Sequence, residues 1–146
     1  PEARKVTAAQ KVDSNIDVQA AIIDAYNIPF VYMVHDRIDY LKHAIDSLRA
    51  SDFPKSKVPL IISHDGHVLD VVSYVQSLKD EFKIIQLFHP YACFDHPNSF
   101  PGNDTSLNEG YRGDTYGHKR SEWATCARHH WNWMMSTVWK ELPDVD

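Results

Sequence analysis

At 146 residues the chain has the length of one domain, and its hydrophobic fraction of 43% and charged fraction of 24% are those of an ordinary globular protein rather than a disordered tail. Its net charge of −5 argues against a nucleic-acid-binding surface, which requires a clustered basic excess. No apolar run approaches the roughly 18 residues of a membrane span and no signal peptide is visible, so we expect membrane attachment only through an anchor that this sequence lacks.

The chain divides into a polar lead-in, residues 1–27, and a main unit, residues 28–146. Within the lead-in, Val18, Ile22 and Ala25 recur at helical spacing and predict a short helix from Asp17 to Tyr26.

The main unit begins with a β-α-β-α-β pattern. Continuous apolar runs predict buried strands over 28–34, 58–63 and 83–88, and one-sided apolar spacing predicts helices over 36–50 and 68–78. Such strands alternating with such helices indicate an α/β fold whose parallel sheet is covered by helices on both faces.

The remainder consists of a long loop and one helix. Residues 89–119 are rich in proline, glycine and aromatic residues without periodicity, whereas residues 121–142 are predicted to be helical. The apolar face of this helix is predicted to contain Ala124, Ala127, Trp131, Met134, Met135 and Val138. Because a parallel α/β fold is expected to continue with another strand, the sequence predicts a truncated domain.

Polar residues follow the first two strands, at the edge where open parallel sheets bind ligands. His35, Asp36 and Arg37 follow the first strand, and Asp65 follows the second. The carboxylates can accept hydrogen bonds from a ribose hydroxyl or a base N–H, and Arg37 can donate two to a phosphate. Two structural alternatives stay open: Asp36 as the cap of the helix, and Asp65-Gly66 as a turn.

The last helix offers Arg128, His129 and His130, which by themselves are typical of a solvated arginine and a structural histidine pair beside Trp131 and Trp133. The sequence has no zinc-like ligand spacing, no glycine-rich phosphate loop and no nucleophile elbow. A bound nucleotide diphosphate would therefore need a metal site beyond residue 146.

Two features bear on the cellular compartment. Cys93 and Cys126 are equally compatible with a disulfide and with two free thiols. Asn103-Asp104-Thr105 is an N-glycosylation sequon in a proline- and glycine-rich segment, which favours the secretory pathway.

Taken together, five segments resemble the N-acetylglucosaminyltransferase II family, whose members add β1,2-linked N-acetylglucosamine (GlcNAc) to the α1,6-arm mannose of N-glycans. These segments are VHDRIDYLKHAIDSLR, LIISHDG, SFPGND, YGHKR and RHHWNWMMSTVW, and their order and separation also fit. They are spread over most of the stretch from Ile28 to Leu142, and the HHW and FPGND segments favour this family over the related N-acetylglucosaminyltransferase I family.

The resemblance implies a truncated GT-A fold, a Rossmann-like parallel sheet with flanking helices, that carries the UDP-GlcNAc-binding half of a Golgi-lumenal type II membrane enzyme. The residues that match the family's donor contacts are Met33, Val34, His35, Asp36, Arg37, Asp65, Cys126, Ala127, Arg128, His129 and His130.

The sequence departs from the family in several respects. Asp36 stands where members often have asparagine, and no cysteines match the family's loop disulfide. The acidic Glu-Glu-Asp-His motif that binds Mn²⁺ is expected just after Asp146, and the catalytic base and the mannose-binding half are expected later still. Since the family's inverting reaction uses that base to deprotonate the mannose hydroxyl and the metal to stabilise the leaving UDP, the fragment is expected to be inactive alone.

Two alternatives remain: another UDP-sugar transferase of the same fold with a different acceptor, and a non-catalytic nucleotide- or glycan-binding domain. Exposure of an apolar sheet edge and of the solvent-facing side of the Trp131–Trp139 helix segment tests the second alternative, because a self-contained domain covers both, whereas a truncated one leaves a large apolar patch.

Overall fold

The computed structural model describes residues 13–14, 28–98 and 106–141. The helix predicted over 17–26 and the sequon at Asn103 lie outside these residues. The described elements in chain order are β1 (Asp13–Ser14), β2 (Phe30–Val34), α1 (Ile38–Ala50), β3 (Pro59–His64), α2 (Leu69–Ser77), β4 (Lys83–Phe88) and α3 (Glu122–Glu141).

The sheet has the strand order β1-β4-β3-β2. Strands β2, β3 and β4 are parallel, with Phe30 opposite Leu60 and Pro59 opposite Lys83. The predicted parallel β-α-β-α-β unit is therefore confirmed, with element ends within about two residues of those expected from the sequence. Strand β1, which pairs antiparallel with β4, was not predicted, because two residues in a polar segment carry no period.

Helices cover both faces of the sheet, as predicted. One face, called here the aliphatic face, packs against α1 and α2 through Leu41, Ile45, Leu48, Leu60, Ile62, Val71, Val75, Leu78, Phe82 and Ile84. The opposite face, called the α3 face, packs against α3 through Ile61, Ile85, Leu87, Met134 and Val138. Alternation along β3 directs even-numbered side chains to the aliphatic face and odd-numbered ones to the α3 face.

The predicted apolar face of α3 was wrong at two positions. Ala124 is exposed and Trp131 is 51% exposed, whereas His130, Met134 and Val138 are the buried residues of the helix. These three recur every four residues and so lie on one side, while Trp131 is about 100° further round the helix axis. His130, which was not among the predicted apolar positions, is therefore part of the buried stripe.

The suggested capping role of Asp36 was also wrong. Helix α1 begins at Ile38 with Arg37 as its N-cap residue, and no side chain caps it by a hydrogen bond. Asp36 contributes its backbone carbonyl, which accepts from the Ile38 N–H at 3.0 Å. Its carboxylate is thus left for another role.

No helix in the part of the chain that the structure describes is long and apolar enough to cross a membrane.

Candidate functional site at the carboxyl ends of the strands

The turns after β2 and β3 lie side by side because the two strands are in register, with Val34 opposite His64. The Asp65 N–H donates to the Val34 carbonyl at 2.8 Å, and His35 Nδ1 is 2.6 Å from the Asp65 carbonyl, to which it donates. Asp65 and Gly66 form a bend between β3 and α2, and Gly66 has φ +90°, a backbone conformation that side-chain-bearing residues rarely adopt. The turn leaves the Asp65 carboxylate at the rim of the sheet.

An open cavity of about 580 Å³ lies at this rim. Nine of the sequence-predicted donor contacts line it, namely Met33, Val34, His35, Asp36, Arg37, Asp65, Cys126, Ala127 and His130. The other two predicted contacts, Arg128 and His129, do not line it: Arg128 is exposed on α3 and His129 contacts His89 instead. The structure thus brings together residues that are up to 97 positions apart in sequence, Met33 and His130.

The cavity combines an apolar interior with a polar and aromatic rim. Leu41, Ala44 and Val71 provide its apolar lining from α1 and α2. At the rim, the Arg37 guanidinium lies 5.5 Å from the centre of the Tyr40 ring. Such a mixture of apolar walls and a few convergent polar groups is typical of small-molecule sites.

Aromatic side chains form part of the cavity wall. Phe94 stacks on the His35 ring with a centroid distance of 4.0 Å and an interplanar angle of 18°, and both residues line the cavity. Trp123, at the start of α3, also lines it and is largely exposed. These rings offer flat surfaces on which a base or a sugar can stack.

Behind the rim lies a histidine network made of Ser63, Asp65, His89, His129 and His130. His89 Nδ1 is 2.9 Å from Asp65 Oδ1, and His129 Nδ1 is 3.2 Å from His89 Nε2. Ser63 Oγ is 2.8 Å from His130 Nε2, and His130 Nδ1 is 4.0 Å from Asp65 Oδ2. His129 and His130 are therefore each hydrogen-bonded, to His89 and to Ser63, as the structural alternative expected, although His130 also lines the cavity.

The network sets the charges at the rim. Burial alone would raise the pKa of the Asp65 carboxyl, but the hydrogen bond from His89 and the fields of His130, His89 and His35 outweigh it, so the pKa is lowered. Burial lowers the pKa of His130 to about 4 and also lowers that of His129. At neutral pH the site thus holds an ionised Asp65 beside a neutral His130.

Cys93 and Cys126 form a disulfide with a Cα–Cα distance of 6.2 Å, which settles the pairing that the sequence left open. The bond ties the loop after β4 to α3 next to the cavity, which Phe94 and Cys126 both line. Cys126 consequently faces any ligand as half of a disulfide and not as a thiol.

Within residues 13–14, 28–98 and 106–141, no three His, Cys, Asp or Glu side chains are arranged to hold a metal ion. The described residues therefore do not fit the Mn²⁺ ion that the family resemblance implies.

His89 is one of the site residues that the sequence reasoning missed, together with Phe94 and Trp123 of the cavity wall. His89 follows β4 as His35 follows β2 and Asp65 follows β3, so the rule that selected those residues also selects His89 when it is applied to the third strand. His89 was instead treated as the first residue of the long loop predicted over residues 89–119.

A family model described as N-acetylglucosaminyltransferase II (MGAT2) matches residues 3–146 of the chain. Among curated proteins, the alpha-1,6-mannosyl-glycoprotein 2-beta-N-acetylglucosaminyltransferase of Arabidopsis thaliana is 34% identical over 129 residues, which cover 81% of this chain and 29% of the relative. The enzymes of the same name from Rattus norvegicus and Homo sapiens are 30% and 28% identical over 128 residues, or 77% of this chain and 28% of each relative. The chain thus spans less than a third of the length of these relatives.

Proposed function

Because the chain belongs to the N-acetylglucosaminyltransferase II family, we propose that its cavity binds UDP-GlcNAc for the transfer of GlcNAc, in β1,2 linkage, to the α1,6-arm mannose of N-glycans. The observation that carries this proposal is the cavity where β2 and β3 end, because it gathers nine residues that match the family's donor contacts. The names of the relatives supply the acceptor and the linkage.

Three side chains give the cavity the chemistry that a nucleotide sugar requires. The Asp36 and Asp65 carboxylates accept hydrogen bonds from the uracil N–H or the ribose hydroxyls. Arg37 donates to the diphosphate through its planar guanidinium, a geometry that suits phosphate oxygens. Phe94 and Trp123 provide stacking surfaces beside them.

The proposal includes a GT-A fold, which the three-stranded parallel sheet with helices on both faces supports. It also includes an inverting reaction, in which a general base deprotonates the attacking mannose hydroxyl. When bound, Mn²⁺ would neutralise charge on the leaving UDP. Since the described residues offer no ligand set for it, the polar side-chain contacts proposed for the donor are those of Asp36, Arg37 and Asp65.

The proposed compartment is the Golgi lumen. The Cys93–Cys126 disulfide supports this part of the proposal, because disulfides form and persist in the oxidising compartments of the secretory pathway.

Exposed apolar residues favour one of the two interpretations of the chain. They support part of an enzyme that packs on further protein, rather than a self-contained binding domain. Strand β2 is an edge strand whose Phe30 and Val31 are partly exposed, and Ile28 before it is almost fully exposed. Trp131 and Trp139 of α3 are each about half exposed. A self-contained domain is expected to cover both regions.

Isothermal titration calorimetry of UDP-GlcNAc into the 146-residue chain, with and without Mn²⁺, tests the proposal. We expect Asp65→Asn and Arg37→Met each to weaken binding by about 10-fold or more, because each removes a charge-assisted hydrogen bond worth roughly 1.5–3 kcal/mol. Asp114→Asn and Arg112→Met are matched controls, since both residues are exposed and lie outside the cavity. An absence of binding under both conditions, or equal loss in the controls, contradicts the donor site.

A further inference from the structure

We infer that His89 is a positioning residue for the donor site, because its hydrogen bond holds the Asp65 carboxylate in the orientation in which that group can accept a hydrogen bond from the donor. This inference rests on the proposed function. His89 does not line the cavity and acts only through Asp65.

The contact between His89 and Asp65 divides the roles of the two carboxylate oxygens. The side chain of His89 is 1% exposed and that of Asp65 is 14% exposed, so the 2.9 Å hydrogen bond from Nδ1–H to Oδ1 is shielded from water. Oδ2 lies 4.0 Å from His130 Nδ1, beyond hydrogen-bond distance. Oδ1 is therefore committed to His89, and Oδ2 is the oxygen that can accept from a ligand.

His89 is itself held in place from several directions. Its backbone N–H donates to the His64 carbonyl at 2.9 Å, which continues the parallel pairing of β4 with β3. Its ring stacks on His130 at a centroid distance of 4.9 Å and contacts Trp133 at 5.2 Å. Both ring nitrogens have hydrogen-bond partners, since Nδ1–H donates to Asp65 Oδ1 and Nε2 lies 3.2 Å from His129 Nδ1, and these two contacts fix the orientation of the ring.

Titratable groups near Asp65 and the adjoining Gly66 come from several elements. His35 approaches from the end of β2 and His130 from α3, and both favour the ionised carboxylate. The Asp95 carboxylate lies in the loop after β4, with an oxygen 3.5 Å from where a side chain on Gly66 would begin. Without His89, burial would act against the weaker effects of His35 and His130, so the pKa of Asp65 would rise.

The rival role for His89 is packing alone, and two substitutions separate the roles. His89→Phe keeps a planar ring against His130 and Trp133 but removes both hydrogen bonds. His89→Asn loses the ring but places an amide N–H near the position of Nδ1, so it restores the bond to Asp65. A packing role predicts that His89→Phe is the milder change, whereas a positioning role predicts the opposite for donor binding.

The experiment measures two quantities on the full chain, the pKa of Asp65 from a carboxyl ¹³C NMR titration and the affinity for UDP-GlcNAc from calorimetry between pH 5 and pH 7.5. For His89→Phe we expect the pKa of Asp65 to rise above that of wild type and the affinity to fall by about 10-fold, with a further loss as the pH is lowered towards 5. His89→Asn is expected to recover most of the affinity. His118→Phe, which removes a similar contact from the exposed pair His118–Asp114, is the matched control and should change neither quantity.

An unchanged Asp65 pKa in His89→Phe, or the same donor affinity as wild type across the pH range, overturns the inference while the proposed function stands. A wild-type chain that binds no UDP-GlcNAc contradicts the proposed function, and the NMR titration then decides on its own whether His89 controls Asp65. If His89→Phe does not fold, His129→Phe takes its place, because it removes the outer hydrogen bond of the network and should shift both quantities less but in the same direction.

Discussion

The two faces of the sheet are stabilised by different kinds of contact. Among the described residues, the aliphatic face buries ten apolar side chains from the sheet, α1, α2 and their connections, whereas the α3 face buries five. Towards the cavity, the contacts between the α3 face and α3 become polar. There Ser63 forms a hydrogen bond with His130, and both residues are buried. This contrast indicates that the aliphatic face supplies most of the stability, and that the α3 face gives up apolar packing to hold the network behind the cavity.

The sharpest test of the contrast is Ile62→Ala, in the centre of the aliphatic face. The residue is fully buried, and truncation of a buried isoleucine leaves a cavity, so we expect a loss of about 4 kcal/mol in the free energy of unfolding. Urea unfolding followed by circular dichroism measures it. Leu69→Ala, at an exposed position of α2, is the control and should cost no more than about 0.5 kcal/mol. If Leu87→Ala on the α3 face costs as much as Ile62→Ala, the two faces are not different in the way we describe.

The second prediction concerns how α3 is attached. The disulfide joins cysteines 33 positions apart, and a cross-link over a loop of that length stabilises by about 3.5 kcal/mol through the unfolded state. We therefore expect the free energy of unfolding of the double variant Cys93→Ser, Cys126→Ser to be lower by that amount, so that the variant unfolds at a lower urea concentration. Reduction of the wild-type chain with dithiothreitol should reproduce the loss and should leave the double variant unchanged. Equal stability of the two proteins would mean that α3 is held by its packing alone.

The third prediction tests a polar pair on the aliphatic face. His64 Nε2–H donates to Gln86 Oε1 at 2.9 Å, and burial, opposed in part by this bond, lowers the pKa of His64 from 6.5 to about 4. The unfolded chain therefore takes up a proton first as the pH falls below 6.5, so stability is lost between about pH 6.5 and 4, by about 3 kcal/mol for this group.

His64→Gln keeps an amide donor for Gln86 but cannot titrate, so the loss of stability on acidification should shrink by a large part. The remainder comes from other groups whose pKa burial lowers, among them His130, to about 4, and His129. Urea unfolding at pH 7, 5.5 and 4.5 makes the comparison. A variant that loses as much stability as wild type over this range would show that His64 is not a source of the acid sensitivity.

The sequence predicted the sheet well because its strands are signalled locally. The runs that became β2, β3 and β4 are rich in apolar residues, and α1 and α2 carry apolar residues on one side. The expectation that the first strand is buried was wrong, because β2 lies at the edge of the sheet, where Phe30 and Val31 are exposed. The prediction failed at a buried position that is occupied by a polar residue type. His130 lies in the buried stripe of α3 because Ser63 satisfies its ring nitrogen, and a pattern of apolar letters cannot show a hydrogen bond across 67 residues.

The candidate site was foreseeable to a similar extent. The positions of His35, Asp36, Arg37 and Asp65 followed from the strand-end rule, whereas Cys126, Ala127 and His130 entered only through the family resemblance. The roles of His89 and the disulfide needed the structure, because each depends on where the loop after β4 meets α3. Spacing in the sequence carries no information on that meeting.

The smallest expected effect lies on the outer side of the aliphatic face, where Arg49 links α1 to the segment before β4. Its Nε donates to Glu81 Oε2 at 2.9 Å and its Nη1 to Asp46 Oδ1 at 2.8 Å, but the Arg49 and Glu81 side chains are 39% and 38% exposed. Exposed ion pairs contribute roughly 0.2–1 kcal/mol, so Arg49→Met should lower stability by about 0.5 kcal/mol. The difference from wild type should shrink further in 1 M NaCl, where charges are screened within about 3 Å. Arg112→Met provides the control for loss of a surface cation. A loss above about 2 kcal/mol that persists in high salt would mean that the rim of the aliphatic face, and not only its apolar centre, holds the helices on the sheet.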